Sequence, residues 1–270
     1  MTTADNELNR YSKLIESIFF DKYNDGDQEV YFERPDLIKK AEELKITLPL
    51  NLGDIIYSFK YRTSLPSSII SLASEGTEWI IKNVGRAKYV FKLVSHSRII
   101  PDEMLVEIKI PDATPGIVGK YALNDEQALL TKIRYNRLLD IFTGVTCYSL
   151  QNHLRTTVPE IGQVETDEIY VGIDKNGKQY IFPVQAKSGS DKLGIVQIEQ
   201  DIKLCEHKFS ELIVRAIASQ FMSDNVIAIF EFKLIDDEVK KIAEKHYKLV
   251  EYSDLSLDEI KTYNSIENIN

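Results

Sequence analysis

The sequence predicts a two-part chain of α/β (α+β) class: a helical unit closed by a strand hairpin, followed by a mixed-sheet core. Three observations predict it. Apolar residues recur at helical spacing near the start, ahead of two strand-like runs at 78–82 and 88–94. Proline and glycine crowd the segment 101–123. Beyond Gly162 the pattern turns to short apolar strands separated by helical stretches. With 270 residues and 43% hydrophobic content, the chain is long enough for two modest cores.

Residues 7–23 read as an amphipathic helix, because Leu8, Tyr11, Leu14, Ile15, Ile18 and Phe19 fall on one face. A second helix is expected after Pro35, over 36–45, since proline fits a first helical turn; 51–61 reads as a third. Thr63, Ser64 and Pro66 supply the start of a short helix through Ala73. The hairpin follows, with Trp79 and Tyr89 expected to pack it on the helices. Three or four helices and then a hairpin is the order of a winged helix-turn-helix, so 1–100 reads as a winged-helix-like domain. Residues 101–123 read as a linker holding one strand at 104–110, and 124–270 as the second domain. That domain is expected to open with a helix over 124–142, capped at Asn124 and ended by Gly144. Strands are expected at 163–173, 179–187, 212–220 and 226–234, with helices at 191–209 and 236–246.

Several classes of protein are disfavoured. No apolar run reaches the roughly 18 residues of a membrane span. The N-terminal MTTADNELNRYSK lacks the basic-then-apolar layout of a secretory signal, and with only two isolated cysteines a reducing cytoplasm is the expected setting. Cys147 and Cys205 have no cysteine or histidine at metal-site spacing, which disfavours a disulfide framework and a zinc site. His96, His153, His207 and His246 are scattered and read as incidental. The net charge of −9 argues against nucleic acid until its distribution is considered. From Lys60 to Arg98, seven bases stand against Glu75 and Glu78, a local charge of +5. A solvated hairpin face and a phosphate-binding surface are the two readings of that segment.

The chemistry-bearing segment runs from Gln163 to Lys187, with an Asn176-Gly177 turn at its centre. Folding symmetrically about Asn176 sets Asp167 opposite Gln185 and Glu165 opposite Lys187. Side chains two apart on a strand share a face, so these four are expected to project together. A slip of one residue would put Thr166 and Glu168 there instead. Crowded carboxylates repel unless a cation sits between them, and a hard divalent ion prefers such oxygen ligands. Asp167, Glu165, the Gln185 amide oxygen and the Ala186 carbonyl are the expected ligands of Mg2+ (or Mn2+). Lys187 is expected to orient a water or offset charge developing on phosphate.

This hairpin resembles the PD-(D/E)XK nuclease superfamily, which includes many restriction endonucleases, through Asp167 on one strand and Gln185-Ala186-Lys187 on the next. Two departures stand out: Gln185 replaces the usual acid, and Thr166 occupies the place of the family's proline. The resemblance implies a restriction-endonuclease-like mixed-sheet core over about 126–232. It also implies a further acid from an upstream helix, for which Glu126 is the candidate. Gln197 and Glu199, on the helix after Lys187, are weaker candidates. The implied function is Mg2+-dependent hydrolysis of duplex DNA, as in a type II restriction enzyme, by a homodimer able to cut both strands. No phosphate-binding Gly-X-X-X-X-Gly-Lys-Ser/Thr loop suggests an ATP-driven machine. Arg62, Lys82, Arg86 and Lys88 are the expected phosphate contacts. Ser67 and Ser68 would start a base-reading helix. A non-catalytic winged-helix regulator with a decayed nuclease domain, and a repair or structure-specific nuclease, are the rival readings.

Overall fold

The computed structural model describes residues 3–95, 98–122, 125–159, 161–188, 193–222, 225–236 and 238–265. They form two compact units. The first is Met1–Ile99 with Thr156–Val164 and Gly194–Val196; the second is Ile100–Arg155 with Glu165–Leu193 and Gln197–Asn270.

In the first unit, helix α1 (Thr3–Lys22) is followed by strand β1 (Glu29–Glu33) and helices α2 (Arg34–Glu43), α3 (Gly53–Tyr61) and α4 (Ser67–Ile70). The hairpin β2 (Thr77–Gly85) and β3 (Lys88–Ser95) comes next, then the short β4 (Arg98–Ile99). The helices fall where the apolar spacing predicts. Strand β1 was not predicted, because five residues between a turn and Pro35 give little periodic signal. It pairs antiparallel with β3, making a sheet of order β1-β3-β2. Its Val30 and Phe32 point into the core, and Tyr31 between them points out. Phe19 of α1 meets Trp79 and Phe91 edge-on at 5.0 and 5.1 Å, so the hairpin packs on the helices as expected. Helix α4 is half the length predicted: Ser71 turns its hydroxyl onto the Ser68 carbonyl, and the chain leaves the helix there.

The second unit opens with β5 (Glu107–Pro111), α5 (Gly116–Tyr121), α6 (Glu126–Tyr135) and α7 (Leu138–Thr143). Strands β6 (Thr146–Val158), β7 (Gly162–Ile173), β8 (Gln179–Lys187) and β9 (Leu193–Gly194) lead to α8 (Ile195–Lys208). Then come β10 (Ile213–Val214), β11 (Ala216–Phe221), β12 (Val226–Ile235), β13 (Glu238–Val250) and α9 (Leu257–Ser265). The sheet is mixed and eight-stranded, in the order β5-β13-β12-β11-β8-β7-β6, with β10 also on β8. Strands β8 and β11 run parallel, whereas β7–β8 and β11–β12–β13 are antiparallel.

Four expectations need correction. The strand expected at 104–110 is present as β5, but it pairs with β13 and forms one edge of the sheet, so the segment 101–123 is more than a linker. The single helix over 124–142 is two, broken where Arg137 takes a left-handed φ of 52°; its predicted cap Asn124 lies outside the described residues, and Asp125 caps Ala128 instead. The helix expected at 236–246 is strand β13. Its Val239, Ile242, Ala243, His246 and Tyr247 have helical spacing, but ladder bonds to β12 and β5 outweigh that local preference. Strand β6 was not predicted because it is an edge strand whose residues 148–153 are exposed and show no apolar alternation.

One sheet face packs Phe182, Val184 and Ala186 of β8 against Leu129, Leu130 and Ile133 of α6. Gly172 is needed in β7 for close approach, since a Cβ there would lie 2.7 Å from Val145 and 2.8 Å from Phe182. Cys147 and Cys205 are both buried and free, and burial pushes the Cys147 thiol up to about 11, so neither is poised as a nucleophile.

Candidate active site

The hairpin β7–β8 has the register that symmetry about Asn176 predicts, with Ile173 opposite Gln179 and Glu168 opposite Val184. Its tip is held by Asp174, whose Oδ1 accepts from the backbone N–H groups of Asn176 (2.8 Å) and Lys178 (2.9 Å). Gly177 supplies the left-handed residue the turn requires, at φ 80°.

Past Glu168 and Val184 the regular pairing ends and side chains replace the ladder. The Asp167 carboxylate accepts the Ala186 N–H at 2.9 Å, which fixes it at the mouth of the hairpin. The Lys187 ammonium donates to Glu126 at 2.7 Å, at the start of α6. Burial raises the Asp167 pKa and nearby Glu126 adds to the rise; the Ala186 N–H, Lys187 and His153 oppose it. Asp167 makes no ion pair with any described residue. A half-buried carboxylate of raised pKa with no direct counter-ion is what an incoming cation would relieve.

Gln185 projects onto α8. Its Nε2 donates to Asp201 Oδ2 at 2.8 Å and to the Glu165 carbonyl at 3.4 Å. Asp201 is 1% exposed, and burial pushes its pKa up to about 8. Its Oδ1 and the Thr166 hydroxyl, both buried, lack hydrogen bonds of normal geometry among the described residues, though Thr166 is close enough to favour the ionised form. A proton on Asp201 would therefore sit on Oδ1, leaving Oδ2 free to accept from Gln185 in either state.

The structure thus unites Glu126, Asp167 and Lys187 at one end of the hairpin and gives Gln185 a separate buried partner. Other predicted site residues are elsewhere. The Glu165 side chain is half exposed and lies 3.9 Å from both His153 and Arg155; its carbonyl, not its carboxylate, meets Gln185. Glu168 is buried beneath Arg134 (2.7 Å) and Ser149 (2.6 Å), where it anchors the core. Glu199 pairs with Lys203 one turn on, at 2.9 Å. Gln197 is half-buried on α8, a turn before Asp201. Ala186 is fully buried, and its N–H is the group seen at the site. Asp201 was missed, since no local feature of the helix after Lys187 set it apart from its neighbouring acid Glu199.

The donor set is lean. Among the described residues no three His, Cys, Asp or Glu side chains converge as a metal cluster. What fits is an ion that keeps most of its waters and takes one carboxylate and neutral oxygens, the habit of Mg2+.

Among the predicted DNA contacts in the first unit, Arg62 lies over the Tyr57 ring at 5.1 Å, and Arg86 and Ser67 are exposed. Lys82 is half-buried and close enough to Glu29 to lower its pKa, and Lys88 pairs with Glu33 at 3.3 Å. Ser68 is bound to Glu16 and so does not project as a base-reading residue. No helix among the described residues is long and apolar enough to cross a membrane. Comparison with known proteins finds no matching family model, no matching curated protein and no matching solved structure.

The buried Asp201 makes stability depend on pH. Its folded pKa, about 8, lies above its ordinary 3.8, so the folded state binds the extra proton. Its contribution is intact below about pH 4 and lost as pH rises through about 8. Asp201→Asn cannot ionise, so in metal-free buffer it is expected to melt a few degrees above the wild type at pH 9 and level with it at pH 4. Parallel melting curves across that range would contradict the burial of an ionisable Asp201.

Proposed function

We propose that the chain is a metal-dependent endonuclease of the PD-(D/E)XK type that hydrolyses phosphodiester bonds in duplex DNA. The more particular reading is a type II restriction enzyme acting as a homodimer, since cutting two antiparallel strands favours a symmetric pair. The observation that carries it is the convergence of Glu126, Asp167 and Lys187 at the open end of a hairpin with the predicted register.

Asp167, with the Gln185 amide oxygen, would hold Mg2+ or Mn2+. A bound ion there supplies Lewis-acid stabilisation of the phosphoryl oxygens and acidifies a water. Asp167 is oriented by the Ala186 N–H, so its free oxygen is presented without reorganisation. Glu126 holds the Lys187 ammonium in place at 2.7 Å. From there Lys187 orients the attacking water or offsets charge developing on the phosphate.

The first unit supports a winged-helix reading through helices α1 to α4 and sheet order β1-β3-β2. Lys82, Arg86 and Lys88 would then contact phosphates from the hairpin. Each phosphate contact displaces counterions and contributes roughly −0.9 to the log–log salt slope on duplex DNA. Changing all three to alanine is expected to weaken binding on every sequence and to flatten the slope by up to about 2–3 units. Unchanged affinity and slope in gel-shift titrations would return the hairpin to a solvated face.

A second reading, a non-catalytic regulator with a decayed nuclease domain, is favoured by Gln185 and by the scarcity of converging acids. Digestion of long unmodified DNA in Mg2+ tests the proposal. Discrete fragments are expected; bound but intact DNA would favour the regulator, and cutting confined to branched or damaged DNA would favour a repair nuclease.

A further inference from the structure

The Gln185 amide has an orientation, and only one of its two ends can bind a cation. Its oxygen is a ligand for a hard ion and its NH2 group is not. Both amide hydrogens are engaged on one side, by Asp201 Oδ2 at 2.8 Å and the Glu165 carbonyl at 3.4 Å. The oxygen Oε1 accepts from no described residue. Gln185 and Asp201 are 2% and 1% exposed, so water does not compete for the contact. A backbone carbonyl can only accept, and Asp201 Oδ2 accepts here as well, so this pair of neighbours takes the NH2 end and leaves the oxygen end outward.

We infer that Asp201 on α8 is a positioning residue that locks the Gln185 amide, so that Oε1 is the atom presented to a divalent cation beside Asp167. This inference rests on the reading of the hairpin as a metal-dependent nuclease site. It accounts for the glutamine itself. A carboxylate at position 185 would set an acceptor oxygen against Asp201 Oδ2 and the Glu165 carbonyl where Nε2 now donates, leaving buried acceptors without a donor. The strand acid of the PD-(D/E)XK pattern is in effect exchanged for a strand amide and a helix acid. The acid lies one residue layer back, and a neutral oxygen would be offered to the ion.

The test is Mn2+ binding to the full chain without DNA, read from loss of the free-ion electron paramagnetic resonance signal. Wild type, Asp201→Asn, and the exchange of Gln185→Glu with Asp201→Asn are compared, with thermal melts to verify folding. Asn keeps the size of Asp and accepts the same hydrogen bond, so a purely structural role would survive Asp201→Asn. Its amide also tolerates the flipped Gln185, however, so Mn2+ affinity is expected to fall about 10- to 100-fold, the usual cost of losing such an outer partner. In the exchanged pair the carboxylate has two equivalent oxygens and an Asn amide donates to one. Its affinity is expected to return to within about threefold of wild type, the scatter of such contacts between contexts being about that size. Wild-type affinity in Asp201→Asn, or no recovery in the exchanged pair, overturns the inference and leaves the nuclease reading standing. Absence of Mn2+ binding to the wild type overturns both.

Discussion

Asp167→Ala is expected to reduce single-turnover DNA cleavage about 100- to 1000-fold while duplex binding stays within about threefold of wild type. A metal's stabilisation of the developing charge is worth several kcal/mol, and each 1.36 kcal/mol is a factor of ten in rate. Binding is expected to persist because the basic hairpin, β2 and β3, belongs to the other unit. The Ala186 N–H left behind can be met by water at the partly open hairpin end, so the fold is expected to survive. Cleavage unchanged within about threefold would remove Asp167 from the site.

The second large effect is expected at Lys187. Lys187→Met keeps the apolar stem and removes the ammonium, together with its 2.7 Å contact to Glu126. Loss of one donor aimed at a developing oxyanion costs about 100- to 1000-fold in turnover. The decrease should lie in kcat, with KM for DNA little changed, because a charge that matters chiefly in the transition state does not set ground-state binding. A raised KM with normal kcat would instead mark Lys187 as a DNA-backbone contact.

The hairpin carrying these residues was the most legible part of the sequence. Asn176-Gly177 placed the turn, and folding symmetrically about Asn176 gave a register that the structure matches from Ile173–Gln179 to Glu168–Val184. What the pattern could not convey was the end of the ladder. There the Asp167 side chain takes the Ala186 N–H, regular alternation stops, the Gln185 amide is held by Asp201, and the Glu165 carboxylate lies near His153 and Arg155 instead. Tertiary partners were equally illegible. Nothing local distinguishes Asp201, buried against Gln185, from Glu199, paired with a lysine on its own helix. Strand β13 shows the same limit: its helical spacing is overridden by neighbours on both sides in the sheet, β12 and β5. Glu126 was a candidate through the nuclease resemblance alone, and its contact with Lys187, 61 positions away, depends on how α6 lies across the sheet.

One measurement tests the central claim most directly. Supercoiled plasmid is incubated with wild-type chain in Mg2+, with the same preparation in excess EDTA, and with Asp167→Ala purified identically in Mg2+. The account predicts nicked and linear plasmid in the first reaction alone. Intact plasmid in all three, or equal cutting by wild type and Asp167→Ala, would contradict it.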